Sequence, residues 1–242
     1  MVSDDTATTR KILMNGRRVS RINHCALLFD IDGTLADTDA LHLEAYNAAL
    51  GPFGHVFDQQ RYARELQGFS GRSICDRFLR GETPDRQAAI MEEKEAVFRN
   101  LVAGRIEPTP GLMALLDRAD NACVPMVAVT NAPRLNAELL LSGLRIAHRF
   151  RAVVIGDELA HGKPHPLPYL EGLRLAGATA EASMAFEDSR SGVTSATAAG
   201  IATIGIRSGL THRELVEAGA IATAKTFDEE ELLTLIGSRM RW

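Results

Sequence analysis

Cysteine and aromatic residues are both scarce in this sequence of 242 residues. The three cysteines, Cys25, Cys75 and Cys123, are odd in number, far apart and in no C-x-x-C pair, which argues against a disulfide framework. No apolar run reaches the length of about 18 residues that a transmembrane helix needs, and the N-terminus lacks the apolar core of a secretory signal. We therefore expect a cytoplasmic protein with reduced cysteines and no membrane partner.

The chain also lacks an excess of basic residues. It carries 27 Lys and Arg against 31 Asp and Glu, a formal net charge of -4, so there is no basic footprint for nucleic acid. A small anionic ligand is still compatible with this charge, because individual sites can be basic on an acidic protein. The remaining composition, 45% hydrophobic and 24% charged, is ordinary for one or two globular domains, and nothing in it predicts an obligate protein partner.

The order of strand-like and helical patterns predicts the fold class. After a polar extension over residues 1–22, "CALLFDID" predicts a buried strand, and residues 38–108 then read as helical throughout. From residue 109 onward strands without polar alternation follow one another with helices between them, which favours a parallel sheet covered on both faces. We expect an α/β protein with a Rossmann-like core from residues 23–37 and 109–242, and an inserted all-α cap domain at 38–108.

Polar side chains gather where the predicted strands end. They are Asp30 and Asp32, Thr130 and Asn131, Lys163 in a following loop, and Glu187 with Asp188. Ligands of open parallel sheets bind beyond the carboxyl ends of the strands, so we expect these residues to form one site. A single aspartate after a strand can simply cap a helix, an interpretation that suits Asp37 or Asp39. Capping does not explain the whole set.

Several carboxylates in one site require a cation between them. Oxygen ligands suit Mg²⁺, whereas zinc is disfavoured because no cluster of Cys and His accompanies the acids. Lys163 and Thr130 can bind a phosphoryl group, and the turn amides of Gly33 and Thr34 can donate to the same oxygens. One aspartate can attack phosphorus to give an aspartyl phosphate, and a second acid two residues away can transfer the protons.

Four motifs of this chain resemble those of the haloacid dehalogenase-like (HAD) hydrolases in order and spacing. They are "DIDGTLADT", "VTN", "GKPHP" and "EDSRSGV…AAG". The resemblance implies that Asp30 is the nucleophile, that Asp32 is the general acid and base, and that Thr130 and Lys163 bind the phosphoryl group beside Asn131. It further implies a Mg²⁺ site made of Asp30, the Asp32 carbonyl and Asp188, with Glu187 in support.

The helical insertion resembles the cap of the β-phosphoglucomutase and phosphoglycolate phosphatase branch. This resemblance implies that His42 lies near the hinge and that Lys94 and the loop "LQGFSGRS" face the substrate. Arg72 is a candidate for substrate binding, although it is offset by one position from the arginine of the mutases. An alternative for Lys94 is a solvated position on its helix, paired with neighbouring glutamates.

The expected activity is Mg²⁺-dependent hydrolysis of a small phosphometabolite, such as a sugar phosphate or a phosphoglycolate-like compound. Dehalogenation does not need the second acid, Asp32, and phosphonate hydrolysis needs an early cap lysine that is missing between Asp32 and Lys94. A phosphotransferase of the β-phosphoglucomutase type is the main alternative. A non-catalytic binding module is a more remote one, because it predicts the erosion of a motif and none is eroded.

Overall fold

The computed structural model describes residues 24–104 and 106–240, and its centre is a six-stranded parallel sheet. The strands are β1 (Leu27–Phe29), β2 (Met126–Thr130), β3 (Ala152–Ile155), β4 (Met184–Glu187), β5 (Ala202–Ile206) and β6 (Ala222–Ala224). Their order across the sheet is β3-β2-β1-β4-β5-β6, the order of a Rossmann fold. The predicted α/β class is confirmed, and the expected extension at 1–22 lies outside the described residues.

Helices connect the strands and cover the sheet. In the described part of the chain they are α1 (Asp39–Leu50), α2 (Gln59–Glu65), α3 (Gly71–Phe78), α4 (Pro84–Val102), α5 (Leu112–Asn121), α6 (Arg134–Gly143), α7 (Leu167–Ala176), α8 (Arg190–Ala198), α9 (His212–Glu217) and α10 (Glu230–Met240). Strand β6 was not expected from the sequence, because its residues Ala222–Ala224 do not form an apolar run, unlike those of the equally short β1.

Strand β1 explains why the strands lack polar alternation. Its side chains point alternately to the two faces of the sheet, and both faces are covered. Phe29 belongs to the apolar cluster on one face, where its ring stacks on that of Phe186 at a centroid distance of 4.8 Å. Leu28 belongs to the cluster on the opposite face, together with Val127 and Tyr169. Every residue of β1 is therefore buried and apolar.

Helices α1 to α4 lie between β1 and β2 in sequence and share an apolar cluster of their own. Tyr46, Leu50, Tyr62 and Ile90 belong to this cluster. Helix α4 begins at a proline, and the side chain of the preceding residue, Thr83, accepts a hydrogen bond from a backbone amide of the first turn. This separate cluster supports our proposal that residues 38–108 form a cap domain. No helix in the described ranges has both the length and the hydropathy of a membrane span.

The strand order creates a crevice at the carboxyl edge of the sheet. The chain runs from β1 outward to β2 and β3, then returns to the other side of β1 to form β4. The connections after β1 and β4 therefore diverge, which leaves space for a ligand between the ends of these strands. Asp30 follows β1, and its amide donates to the carbonyl of Phe186 in β4 at 3.0 Å. Asp188 follows β4, so the two acids border the crevice.

Candidate active site

Lys163 joins two buried carboxylates at the carboxyl edge of the sheet. Its Nζ lies 2.6 Å from Oδ1 of Asp30 and 2.5 Å from Oε1 of Glu187, and it also donates to the carbonyl of Val129 at 2.8 Å. Burial by itself would lower the pKa of Lys163, but the two carboxylates outweigh it and raise this pKa above its ordinary value. The lysine is therefore charged and balances the acids around it.

Glu187 is held from several sides. Its Oε1 accepts a hydrogen bond from the hydroxyl of Tyr169 at 2.7 Å in addition to the bond from Lys163, and its Oε2 accepts one from Ser189 at 3.2 Å. Gly192 leaves the space that the carboxylate occupies, since a Cβ at this position would lie 1.9 Å from it. These contacts fix Glu187 in an orientation that positions the ammonium group of Lys163 next to Asp30.

Asp30, Glu187 and Asp188 form a cluster that fits a divalent cation. One carboxylate oxygen from each lies within 4.8 Å of the others. Burial raises the pKa of Asp30 and of Asp188 well above the ordinary value, and repulsion from neighbouring acids adds to this in both. A hard cation would relieve that repulsion, and oxygen donors are the ligands that Mg²⁺ prefers. Gly33 makes room for the cluster, because a Cβ there would lie 1.8 Å from Oδ2 of Asp188.

The side chain of Asp32 is bound toward the beginning of α1. Its Oδ1 accepts a hydrogen bond from the hydroxyl of Thr38 at 3.0 Å and lies 2.9 Å from Nε2 of His42. Burial opposes ionisation of Asp32, but His42 and Thr38 prevail and lower its pKa. Strand β1 has already ended at Phe29, so Asp30 and Asp32 are not forced to opposite sides as in a continuing strand.

A chain of hydrogen bonds leads from His42 into α4 and on to α6. Lys94 Nζ lies 3.0 Å from Nδ1 of His42 and donates to Oε1 of Glu95 at 3.0 Å, while Asn136 donates to Oε2 of Glu95 at 2.6 Å. Because an ammonium group only donates, Nδ1 of His42 accepts, which leaves Nε2–H to donate to Asp32. Lys94 is 1% exposed, so the solvated position of the alternative is wrong, whereas its pairing with a neighbouring glutamate, Glu95, is confirmed.

Thr130 and Asn131 follow β2 at the same edge. Both line the cavity, and the Thr130 hydroxyl accepts a hydrogen bond from the amide of Ala132 at 2.9 Å. The side-chain amide of Asn131 accepts from the Lys163 amide at 3.0 Å and donates to the carbonyl of Gly68 at 2.9 Å. Asn131 thus connects the loop that carries Lys163 to a loop of the proposed cap, a role that the sequence did not indicate.

Three predicted substrate-binding residues do not reach the cavity. The amide of Gly33 donates to the carbonyl of Ala36 at 2.9 Å, and the amide of Thr34 donates to the carbonyl of Ile31 at 3.3 Å. These turn amides are therefore used within the turn and are not free to bind phosphate. Arg72 lies on α3 with an exposed side chain and is not part of the cavity wall.

Comparison with known proteins identifies the family. Residues 27–206 match the family model described as "Haloacid dehalogenase-like hydrolase". The chain belongs to this family. The resemblance that the four motifs indicated is therefore confirmed.

Relatives of this hydrolase include enzymes named for phosphorylated sugars. It is 31% identical to "Phosphorylated carbohydrates phosphatase" of Thermotoga maritima over 87% of this chain and 97% of the relative. It is 30% identical to "Fructose-1-phosphate phosphatase YqaB" of Escherichia coli over 76% of this chain and 97% of the relative. The crystal structure of CbbY from Rhodobacter sphaeroides in complex with xylulose-(1,5)bisphosphate superposes with a TM-score of 0.73 at 31% identity, covering 84% and 95% of the two chains.

Gln67 connects the proposed cap of this hydrolase to the acidic cluster. Its Nε2 lies 2.5 Å from Oδ2 of Asp188, 3.0 Å from Oδ2 of Asp39 and 3.1 Å from the hydroxyl of Ser208. Asp39 also accepts from the hydroxyl of Tyr62 at 3.2 Å and does not cap α1, so the capping interpretation is wrong for this residue. Gln67 belongs to the loop "LQGFSGRS" that the resemblance implied to face the substrate, but its contact with Asp188, 121 positions away, was not indicated.

Replacing Asp39 by asparagine is expected to stabilise the metal-free hydrolase at neutral pH. Burial raises the pKa of Asp39 to about 6. Because this value exceeds that of the unfolded chain, the folded state loses stability as the pH rises from about 4 to about 6. Removing the carboxylate should therefore add on the order of 1–3 kcal/mol to the free energy of unfolding at pH 7.5 and much less at pH 4.5.

Urea unfolding in the presence of EDTA at these two pH values measures the effect. Asp37→Asn is the matched control, because Asp37 is exposed and lies two residues earlier, so its change should be much smaller. A lower stability of Asp39→Asn at pH 7.5 would contradict the assignment of a buried, unfavourable charge to Asp39.

Proposed function

We propose that this chain is a Mg²⁺-dependent phosphatase that hydrolyses a small phosphorylated metabolite through an aspartyl-phosphate intermediate. The observation that carries the proposal is the contact between the buried Asp30 carboxylate and the Lys163 ammonium group at 2.6 Å, beside the acidic cluster with Asp188. The names of the relatives, which refer to phosphorylated carbohydrates and fructose 1-phosphate, support the substrate class. A cavity of about 190 Å³ between α1, α4 and the sheet edge suits a small ligand.

Asp30 is the nucleophile in this proposal. One of its carboxylate oxygens attacks the phosphorus atom, a new oxygen–phosphorus bond forms, and the bond from phosphorus to the ester oxygen of the substrate breaks. Lys163, which contacts Asp30 from outside the cavity wall, neutralises negative charge on the phosphoryl oxygens, and Thr130 lines the cavity together with Asp30. Water then attacks the phosphorus of the aspartyl phosphate, which releases phosphate and restores Asp30.

Asp32 transfers the protons. Because His42 and Thr38 lower its pKa, Asp32 must take up a proton when the substrate binds. It gives this proton to the departing ester oxygen and later regains one from the attacking water. Thr38 and His42 both bind Oδ1, so this oxygen is fixed and Oδ2 is the one that exchanges the proton. His42 is itself held by Lys94, which makes Thr38, His42 and Lys94 positioning residues for the acid.

Asp30, Asp188 and the carbonyl of Asp32 would hold Mg²⁺. When bound, the ion supplies positive charge to the phosphoryl oxygens and to the carboxylates around it. Glu187 stands beside this group, but its oxygens already accept hydrogen bonds from Lys163, Tyr169 and Ser189, so it acts mainly by orienting Lys163.

Removal of divalent metal is expected to abolish phosphate release, because the acids of the cluster then repel the incoming phosphate. The test incubates the protein with a panel of sugar phosphates and short phosphorylated acids, first with EDTA and then with an excess of Mg²⁺, and measures inorganic phosphate. Activity should be lost and then regained. Full activity in EDTA, or none with Mg²⁺ on any phosphomonoester, would contradict the proposal.

The same assay distinguishes water from a sugar hydroxyl as the phosphoryl acceptor. With β-glucose 1-phosphate, a phosphatase gives glucose and inorganic phosphate. Glucose 6-phosphate as the main product would instead identify a mutase of the β-phosphoglucomutase type. Both outcomes would keep Asp30 as the nucleophile, so this measurement concerns the acceptor alone.

Replacing Thr38 by valine is expected to lower kcat about tenfold with little change in KM. Valine has nearly the same shape, but it cannot donate to Oδ1 of Asp32, so the acid loses one of its two fixed contacts. The free energy of unfolding should fall by only about 1 kcal/mol. Thr197→Val, at the far end of α8, is the control and should leave kcat unchanged. An unaltered kcat in Thr38→Val would show that this contact does not position the acid.

A further inference from the structure

The part of the cavity that would surround the leaving group is lined by more acids than bases. Glu92 and Glu95 of α4 line it, as does Asp157, which follows β3. Among the described lining residues, Lys94 is the only lysine or arginine. A negative group of the substrate can find a positive partner there only if the ammonium group of Lys94 has a free N–H donor.

Lys94 is already fully engaged. Its Nζ contacts both carboxylate oxygens of Glu95, at 3.0 and 3.1 Å, and donates to Nδ1 of His42 at 3.0 Å. It also lies 4.1 Å from the ring centroid of Tyr46, within the range of a cation–π contact. These contacts use the three N–H donors of the ammonium group, so Lys94 has none left for a second anion.

The acids at the mouth of the cavity are not equally neutralised. Glu92 is exposed and forms an ion pair with Arg99 at 2.7 Å. Asp157 takes part in no ion pair within the described part of the chain. Asp157 lines the cavity and is exposed, and desolvation followed by repulsion from Glu95 raises its pKa. A negative group bound beside Asp157 would meet a negative charge that no ion pair compensates.

Apart from Lys94, the described residues of the proposed cap add no lysine or arginine to the cavity wall. At the start of α3 it is Gly71 that lines the cavity, whereas the neighbouring Arg72 is exposed to solvent. Phe69 and Met91 provide apolar surface beside Gly71. A Cβ built on Gly71 would meet only the Met91 side chain, at 3.9 Å, so a side chain could be accommodated there.

We infer that this cavity selects phosphate monoesters whose remaining part is uncharged, and that it discriminates against substrates with a carboxylate or a second phosphate. The inference rests on the proposed phosphatase function and specifies its substrate class. The first phosphate would be balanced by Lys163 and the metal, but a second anion would lie near the unpaired Asp157, with no free lysine or arginine among the described residues that line the cavity. Hydroxyl groups, in contrast, can donate to this carboxylate.

Two matched pairs of substrates test the inference. The first pair is 2-hydroxyethyl phosphate and 2-phosphoglycolate, in which a hydroxymethyl group is replaced by a carboxylate. The second pair is fructose 1-phosphate and fructose 1,6-bisphosphate, which differ by one phosphate. We expect kcat/KM to be at least about tenfold higher for the uncharged member of each pair, given the strength of charge repulsion at a partly buried site. Equal or higher values for the charged members would overturn the inference and leave the phosphatase function intact. No hydrolysis of any of the four, nor of p-nitrophenyl phosphate, would overturn both.

Variants identify the residues that cause the selection. Gly71→Arg places a cation on the cavity wall and should lower the preference for the uncharged substrate at least about fivefold, whereas Gly71→Gln, of similar size, should keep it. Asp157→Asn should also lower the preference for the uncharged substrate. It tests the same inference if the Gly71→Arg variant does not fold. Glu158→Gln is its control, because Glu158 is exposed and paired with Arg134. An unchanged preference in both Gly71→Arg and Asp157→Asn would show that these charges do not select the substrate.

Discussion

Asp30→Asn is expected to lower the rate of phosphate release by about 10³- to 10⁵-fold, as the loss of a nucleophile does in other enzymes. An amide oxygen is a poor nucleophile toward phosphorus, and it cannot form the aspartyl phosphate on which the proposed mechanism depends. The remaining parts of the site stay in place, since Lys163 keeps its contact with Glu187 at 2.5 Å. Substrate binding should therefore survive when turnover does not.

The stability of this variant separates a chemical role from a structural one. The pKa of Asp30 is raised mainly by burial, so the folded protein does not gain from its negative charge, and asparagine still offers an oxygen to Lys163. The free energy of unfolding should change by no more than about 1 kcal/mol. The measurements are single-turnover phosphate release and urea unfolding, with the exposed Asp37→Asn as the control that keeps its rate. Turnover within tenfold of the unmodified protein would rule out Asp30 as the nucleophile.

Lys163→Met is expected to abolish turnover and also to destabilise the protein by about 3–5 kcal/mol at pH 8. Methionine fills a similar volume but leaves two buried carboxylates, Asp30 and Glu187, without their cation. Both are less than 10% exposed, so water cannot replace the lysine. This loss should greatly exceed that of Lys225→Met, which removes an exposed lysine and should change the stability by less than about 0.5 kcal/mol.

The destabilisation by Lys163→Met should depend on pH. In the unmodified protein the pKa of Lys163 is raised. Its contribution to the free energy of unfolding is therefore fully present at a pH below the ordinary lysine pKa, and it is lost only as the pH rises through the higher pKa of the folded state. Without the lysine, which lowers the pKa of Asp30, this buried acid is protonated more readily in the folded state, and the cost of its charge disappears as the pH falls. Urea unfolding in EDTA should therefore show a smaller difference between variant and unmodified protein at pH 5 than at pH 8. A difference that is the same at both pH values would contradict this account.

The sequence predicted the core of the site because its residues depend on local features. Asp30 and Asp188 each follow a short buried strand, and the carboxyl ends of parallel strands lie at one edge of a sheet. The structure indeed brings both of them to the crevice between β1 and β4. Helix α1 begins at Asp39, next to the predicted start of the helical insertion at residue 38, whereas β6 was missed because it does not form an apolar run.

The contacts of the proposed cap could not be predicted in the same way. Gln67 reaches Asp188 across 121 positions of sequence, and Asn136 reaches Glu95 across 41. Such contacts depend on how the proposed cap packs against the rest of the chain, and no periodic pattern in the sequence records that packing. For the same reason the sequence left open whether Lys94 is solvated and could not show that Arg72 faces solvent.

By itself, then, the sequence determined the α/β class and the set of acids and lysine at the sheet edge, since short-range strand patterns and parallel topology are enough to place them. Only the tertiary structure decided which groups are free to act on a substrate. Lys94 is held by Glu95 and His42, the turn amides of Gly33 and Thr34 are used within the turn, and Asp157 takes part in no ion pair within the described residues. The reason is physical: the availability of a charge or a donor depends on its partners, and most of these partners are set by packing across the fold.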